Sequence, residues 1–278
     1  MRVDAHHHVW RLDRGDYGWL RPTPRLAPIC RDYGLDQLRP SLAAAGIGAT
    51  VLVQAAPTVA ETRYLLDVAG ASQGLVRGVV GWIDLAAPDT TTILVELAAN
   101  RLLKSIRPML HDLDDPAWIL RSEIQPALSA LVGLDLRFDA LVKPRELKSL
   151  LAMQERHPEL AVVIDHCAKP DIAGGVWQPW ADDVAAIAAN TGASCKLSGL
   201  VTEAGGDWKV DTLRRYVDHV LECFGSGRVL WGSDWPVVTL AASYDSWSAV
   251  TDALLAELPE SERNAIRGAN AQRFYGIS

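Results

Sequence analysis

The chain has 278 residues, of which 49% are apolar and 22% charged, and its formal net charge is -7. This is the composition of a well-cored globule, not of a disordered or fibrous chain. The acidic balance offers no basic surface for nucleic acid, and no run of about 18 apolar residues is present to span a membrane.

The N-terminus has no basic segment leading into an apolar one, so no cleaved leader is expected. The four cysteines (Cys30, Cys167, Cys195 and Cys223) have no C-x-x-C spacing and read as reduced thiols of a cytoplasmic protein. In chain order, the first predicted strand is Arg2 to His8, which contains His6-His7-His8 side by side. Strand alternation puts His6 and His8 on one face and His7 on the other. Two imidazoles at the end of one strand can hold a metal or bracket a reacting carbonyl. The plain alternatives are a polar strand end or the remnant of a purification tag. A tag, however, is a longer run outside any folding pattern, whereas here Val9-Trp10 continues a strand-like context.

Arg11 to Pro28 is rich in proline and charge and lacks a helical period, as in a lid or binding loop. A helix is predicted from Gly34-Leu35 to Gly46, then strand two at Ala49 to Ala55 and a helix at Ala60 to Ala71. Strand three is read at Val76 to Leu85, with a helix over Thr91 to Ala99, and strand four at Leu103 to Met109, with a helix over Pro116 to Ala130. Strand five is Leu134 to Val142, followed by a helix at Glu146 to Arg156; strand six is Leu160 to Cys167, followed by a helix at Ala181 to Ala189. Strand seven is Ala193 to Ser198 and its helix Val210 to Phe224; strand eight is Arg228 to Asp234 and its helix Tyr244 to Leu258. A last helix, Ser261 to Phe274, has Ser261 as its N-cap.

The strands are apolar almost throughout, as in a parallel sheet covered on both faces. Eight strands alternating with helices over roughly 250 residues make an α/β chain with a (β/α)8 TIM barrel. A doubly wound open sheet competes, but no G-x-G-x-x-G turn or phosphate loop is present. One barrel domain is expected over residues 1–278.

In such a barrel, chemistry collects at the C-terminal strand ends. Those ends offer His6 and His8, Trp82 and Asp84, Arg107, Arg137 and Asp139, His166 with Lys169 beyond it, Lys196 and Ser198 with Thr202 and Glu203 following, and Asp234 before Trp235-Pro236. Ionisable groups at so many strand ends are costly unless paired or functional. Several have duller readings. Arg137 with Asp139 is equally a structural ion pair, Lys169 before Pro170 a turn cap, and Asp84 a helix or turn cap. Lys196 could equally snorkel to solvent. His157 and His219 read as solvated surface residues, and His111 as a weak candidate for substrate contact. Asp234, directly after a buried strand, is the foremost candidate for chemistry.

Taken together, the D-x-H-x-H-x-W opening, Ile164-Asp165-His166-Cys167-Ala168-Lys169-Pro170-Asp171, Cys195-Lys196-Leu197-Ser198-Gly199-Leu200, Trp231-Gly232-Ser233-Asp234-Trp235-Pro236 and the ending Asn270-Ala271-Gln272-Arg273-Phe274-Tyr275 resemble the amidohydrolase superfamily. More narrowly they resemble its amidohydrolase-2 branch, the sugar-lactone and related lactone hydrolases. The resemblance implies a distorted barrel that opens a cyclic ester. It matches His6 and His8 to the family's strand-one pair, His166 to its strand-six histidine, Asp234 to its strand-eight aspartate and Arg107 to an arginine that can bind substrate oxygen; a metal, if bound, would be held by His6, His8 and Asp234 with His166 as a further ligand. Where the family often has a basic residue after that arginine, Pro108 stands here. No lysine occupies the position of a carbamylated bridge, and Lys143, just past strand five, has neighbours unsuited to that role. The resemblance therefore implies one divalent ion, zinc before others, or none.

On this reading Asp234 moves the protons with help from His166, and the oxyanion is held by Arg107 and the histidines or by a metal. Lys196, Ser198 and Glu203 read substrate hydroxyls, and Trp10 and Trp235 stack on a sugar-like ring. The expected partner is a small lactone, with a homo-oligomer allowed. The alternatives are a metal-dependent decarboxylase of an aromatic acid on the same barrel and a non-catalytic binding barrel.

Overall fold

The computed structural model describes residues 1–278. The strands are β1 (Arg2–His7), β2 (Ile47–Val53), β3 (Val76–Gly81), β4 (Leu103–Ile106), β5 (Arg137–Ala140), β6 (Val162–Ile164), β7 (Ser194–Leu197) and β8 (Val229–Trp231). All eight pair in parallel, in sequence order, as a (β/α)8 barrel. Around them lie α1 (Leu35–Ala44), α2 (Val59–Ala71), α3 (Thr90–Ala98), α4 (Gln125–Gly133), α5 (Leu147–Arg156), α6 (Trp180–Asn190), α7 (Leu200–Glu203), α8 (Val210–Phe224), α9 (Tyr244–Leu254), α10 (Glu260–Asn264) and α11 (Asn270–Tyr275). None of these helices is long and apolar enough to cross a membrane.

Local chemistry accounts for the elements. β2 reads IGATVLV, a β-branched run buried at every position but Gly48. α8 buries Leu213, Tyr216, Val217, Val220 and Phe224, a stripe at helical spacing that faces the sheet. Thr58 caps α2 by accepting the Glu61 N–H at 3.0 Å, and Ser243 caps α9 through Ser246 N–H, also at 3.0 Å.

Inside the barrel, Val3, Ala5, Val51, Val53, Val80, Val163 and Leu230 form a compact apolar floor. The C-terminal segment plugs it with Ala271, Tyr275 and Ile277. The outer shell between sheet and helices is the larger core.

The sheet closes only at one end of its seam. There His8 N–H donates to Trp235 O at 2.7 Å and Asp234 N–H to His6 O at 2.8 Å. Lower down, Asn270 Nδ2 takes the Val229 carbonyl at 2.7 Å, where a neighbouring strand would otherwise bond. The join between the first and last strands is thus made at the level of the histidines and Asp234.

Several boundaries differ from the sequence reading. Strands three and five are shorter than expected, because Trp82 to Leu85 and Leu141-Val142 leave the ladder as loop. The region from Pro116 forms short turns before α4 starts at Gln125. The last helix is two segments joined by a π turn at Ala265–Ala269, where Gly268 packs so closely on Met1 that a Cβ would lie 2.1 Å from its carbonyl oxygen. Ser261 is not an N-cap: Pro259 precedes α10 and Ser261 lies in its first turn. His219 is not a solvated surface residue. Its ring lies 5.1 Å from Trp177 and 5.3 Å from Trp180, and Nε2 bonds to Ala181 O.

Candidate active site

The alternation expected for the three histidines is observed: His7 Nε2 reaches Thr50 Oγ1 at 2.9 Å, outside the barrel, while His6 and His8 share the other face. That face is the interior only because of a β-bulge. Val3 and Ala5 already point into the barrel floor, and Asp4 points out to Tyr244. Unbroken alternation would therefore aim His7 inward. Between Asp4 and His7, three steps along β1 match two along β2, Thr50 to Leu52. The extra residue turns His6 inward with Ala5, and His8 follows.

Asp234 meets them across the seam. Its Oδ1 lies 3.3 Å from His8 Nε2, 3.7 Å from His6 Nε2 and 3.9 Å from His166 Nε2. The two strand-one Nε2 atoms are 3.3 Å apart. Asp234 takes a left-handed conformation (φ 58°), and Gly232 lets the last strand approach so closely that a Cβ there would lie 2.6 Å from that of His6.

His166 reaches the cluster by a rarer route. His166, Cys167, Ala168 and Lys169 all have positive φ, between 49° and 62°, a left-handed turn that swings the imidazole over the barrel mouth. Ser198 Oγ holds its Nδ1 at 2.9 Å. Gly199 packs under the ring, where a Cβ would fall 2.6 Å from Nδ1.

Below this cluster lies a buried ionic layer that the sequence reading missed in part. Asp165 Oδ1 is 3.4 Å from His6 Nδ1 and 3.0 Å from Lys196 Nζ, and its Oδ2 is 3.3 Å from Arg107 Nη1. Lys196 is also paired with Asp139, whose Oδ2 accepts from Tyr275 O–H at 2.7 Å. Alternation from the inward Val163 was an available signal for Asp165, but the adjacent histidine drew the reading to itself. Arg137 does not pair with Asp139; it bonds to Phe274 O and Asp135 at the opposite end of the barrel.

Burial disfavours charge on imidazole and holds His6 and His166 well below their usual value, so both are neutral near pH 7. Burial alone would raise the Asp234 carboxyl, but the His166 and His8 imidazoles outweigh it and leave the group below its usual range, ionised. Asp165 is likewise pulled well below the carboxylate range, by Lys196, His6 and Arg107 against its burial.

The cluster opens into a cavity of about 380 Å³. Of the expected residues, His8, Arg107, His166, Glu203 and Asp234 line it, as do His111 and Lys169. Four expected substrate contacts do not. Lys196 is fully buried in the ionic layer, and Ser198 is fully buried beneath His166. Trp10 is buried behind the wall, donating to Arg31 O, and its ring meets Trp19 edge-on at 5.7 Å. Trp235 packs on Tyr33 and faces a separate groove. Interior packing claimed these four because strand-end position does not say which way a side chain turns.

The aromatic wall is instead Trp19, from the loop over residues 11–28, whose indole N–H donates to Ala55 O at 2.7 Å. Lys169 is not a simple turn cap: it pairs with Glu203 across the cavity wall. Asp84 does cap a turn, accepting from Ala86 N–H at 2.9 Å.

Two sets of donors converge closely enough for a metal ion: His6, His8 and Asp234, and His6, Asp165 and His166. In tetrahedral zinc sites with bonds of 2.0–2.2 Å, donor atoms stand about 3.3–3.5 Å apart. The first set, at 3.3, 3.3 and 3.7 Å, fits with little adjustment. It is also an imidazole and carboxylate donor set of the kind that zinc favours.

A family model described as Amidohydrolase matches residues 3–277. The chain is 43% identical to an L-fucono-1,5-lactonase of Burkholderia ambifaria over all of this chain and 96% of that protein. It is 33% identical to an L-fucono-1,5-lactonase of Burkholderia multivorans, again over all of this chain and 96% of the relative. A crystal structure of an amidohydrolase from Burkholderia multivorans with bound zinc superposes with a TM-score of 0.93 at 33% identity, covering both chains fully.

Proposed function

The chain belongs to the amidohydrolase family, and from that membership we propose that it hydrolyses a sugar lactone, with L-fucono-1,5-lactone as the first substrate to test. The observation that carries this reading is the ionised Asp234 carboxylate facing three imidazoles at the floor of the cavity. It occurs in a chain 43% identical to a lactonase of that specificity.

Hydrolysis forms a bond from water oxygen to the lactone carbonyl and breaks the ring C–O bond. Asp234 accepts the proton of the attacking water and returns it to the departing ring oxygen, giving the open hydroxy acid. His8 and His166, neighbours of that carboxylate, orient the water. Arg107 has N–H groups committed to Gln54 O and Asp165, which lock the guanidinium at the cavity wall. Its charge faces the position where the carbonyl oxygen becomes negative, an effect worth on the order of 3 kcal/mol per well-placed donor. Lys169 and Glu203 are set to read sugar hydroxyls, and Trp19 offers an apolar face to the ring's C–H surface.

His6, His8 and Asp234 would hold one divalent ion, zinc first, with His166 nearby; bound there it would supply Lewis acidity toward the carbonyl or the water. Asp165 supports that role, because its carboxylate, 3.4 Å from His6 Nδ1, favours the tautomer with the proton on Nδ1 and leaves Nε2 free as a donor.

The test is acid release, followed with a pH indicator, from L-fucono-1,5-lactone and a panel of other aldonolactones, with an aromatic acid assayed for loss of carbon dioxide. Release from the sugar lactones with a clear stereochemical preference is expected. A folded protein that opens none of them removes the reading.

A further inference from the structure

One buried carboxylate beside the site has no part in the mechanism above. Asp4 is fully buried on the helix side of β1 and does not line the cavity, so no substrate atom reaches it. Its Oδ1 accepts two backbone N–H groups, from His6 at 3.2 Å and from Ser233 at 2.9 Å. Its Oδ2 accepts the Tyr244 O–H at 3.2 Å.

The two N–H groups belong to opposite sides of the seam. The bond from His6 closes an Asx turn where β1 carries its bulge, a local backbone bond that aspartate supplies readily. The bond from Ser233 comes from the loop after β8, one residue before Asp234, and that N–H has no backbone acceptor. Asp234 N–H on His6 O and His8 N–H on Trp235 O fix the loop at Asp234 and beyond it. Asp4 fixes it on the residue before, so the left-handed turn at Asp234 is clamped on both sides. A single oxygen therefore holds both the turn that aims His6 and the loop that presents the carboxylate of Asp234.

We propose that Asp4 is a positioning residue for the lactone-opening chemistry. From outside the cavity it sets the separation between Asp234 Oδ1 and the His6 and His8 Nε2 atoms, 3.7 and 3.3 Å. The inference rests on the reading of Asp234 as the group that takes the proton from water.

The test compares Asp4→Ala, Asp4→Asn and Tyr244→Phe by kcat, KM and melting temperature, with crystal structures of the wild type and Asp4→Ala. Asp4→Ala leaves both N–H groups without their acceptor. Its kcat is expected to fall about a hundredfold, the effect of moving a reacting group by about 1 Å, and its crystal structure to show Asp234 displaced from His8 by about that distance. KM should change by less than about threefold, since Trp19, Lys169 and Glu203 lie on other loops. Asparagine keeps one oxygen for both N–H groups and offers its amide to the Tyr244 oxygen, so Asp4→Asn is expected within about threefold of wild-type kcat. Tyr244→Phe removes only the bond to Oδ2 and is expected to lower the melting temperature with kcat kept within about threefold.

Wild-type kcat in Asp4→Ala overturns the proposal, as does a loss in Asp4→Asn or Tyr244→Phe as large as that in Asp4→Ala. A wild type that opens no lactone ends the functional reading instead; the position of Asp234 in the Asp4→Ala crystal structure then decides the role of Asp4 by itself. Should Asp4→Ala not fold, Asp4→Ser takes its place, because a serine hydroxyl accepts the N–H two residues on but is too short to reach Ser233. The same fall in kcat is expected there. Wild-type kcat in Asp4→Ser, or its failure to fold as well, overturns the proposal and leaves Asp4 a residue of the fold alone.

Discussion

Asp234 stands at the end of the last strand, its carboxyl held below the usual range by the His166 and His8 imidazoles against its burial, and the proposed chemistry rests on that one carboxylate more than on any other group. Asp234→Asn preserves size and hydrogen bonding but cannot take a proton. It is expected to lower kcat by about two to four orders of magnitude with an unchanged circular dichroism spectrum. Wild-type turnover in that variant would remove the assignment. Gly199 matters for a different reason: φ is +66° and His166 Nδ1 lies 2.6 Å from where its Cβ would be. Gly199→Ala both strains the backbone and pushes the imidazole off Ser198. A loss of about 1–3 kcal/mol of stability together with at least a tenfold fall in kcat is expected, read by thermal melting and lactone assay. His166 itself shows how far one residue type can be read from a chain. The histidine was recognisable in its motif, but the left-handed turn that aims it was not.

At the scale of elements, the loop over residues 11–28 and the start of α2 form one unit. Trp19 is tethered to Ala55 O from the cavity side, while Glu61 accepts the Ala55 and Ala56 N–H groups from behind, at 3.0 and 2.6 Å. Trp19→Ala is expected to raise KM for the lactone about tenfold, an effect of about 1.4 kcal/mol, with a smaller change in kcat. Trp19→Phe, which keeps the ring but not the tether, is expected to fall between that variant and the wild type.

Burial raises the Glu61 carboxyl to about 7 against the ordinary 4.5, the N–H bonds pulling it back only in part. A folded-state value above the unfolded one means the folded chain keeps its proton longer. The stability due to this group is complete below about pH 4.5 and declines as pH rises toward 7, by at most about 3 kcal/mol. Glu61→Gln is expected to flatten that part of the melting-temperature profile; an unchanged slope would place the titration elsewhere.

For the whole molecule, the site lies where the barrel closes, so occupation of His6, His8 and Asp234 should hold the first and last strands together. An ion that binds only the folded chain stabilises it by about 2.7 kcal/mol at a hundred times its dissociation constant. Zinc is therefore expected to raise the melting temperature by several degrees and a chelator to reverse the rise. Asp234→Ala should lose most of the response, and an equal shift in that variant would move the ion to another place.

The alternation of apolar strands with helices was enough to read eight parallel strands and a barrel from the chain, because burial on both faces leaves a mark on every strand. The motif residues His6, His8, His166 and Asp234 were legible for a related reason: ionisable side chains directly after buried strands stand out in the chain, and their motifs set these four apart from the other strand-end charges. What the chain could not disclose was direction. A one-residue bulge in β1 decided that His6 and His8 face inward, and a run of positive φ after β6 decided that His166 joins them. Side-chain packing decided that Lys196 and Ser198 support the site from below, and that Trp19, in place of Trp10 or Trp235, lines the cavity. Periodicity along a chain records which residues are buried; only the closed sheet determines what each of them is buried against.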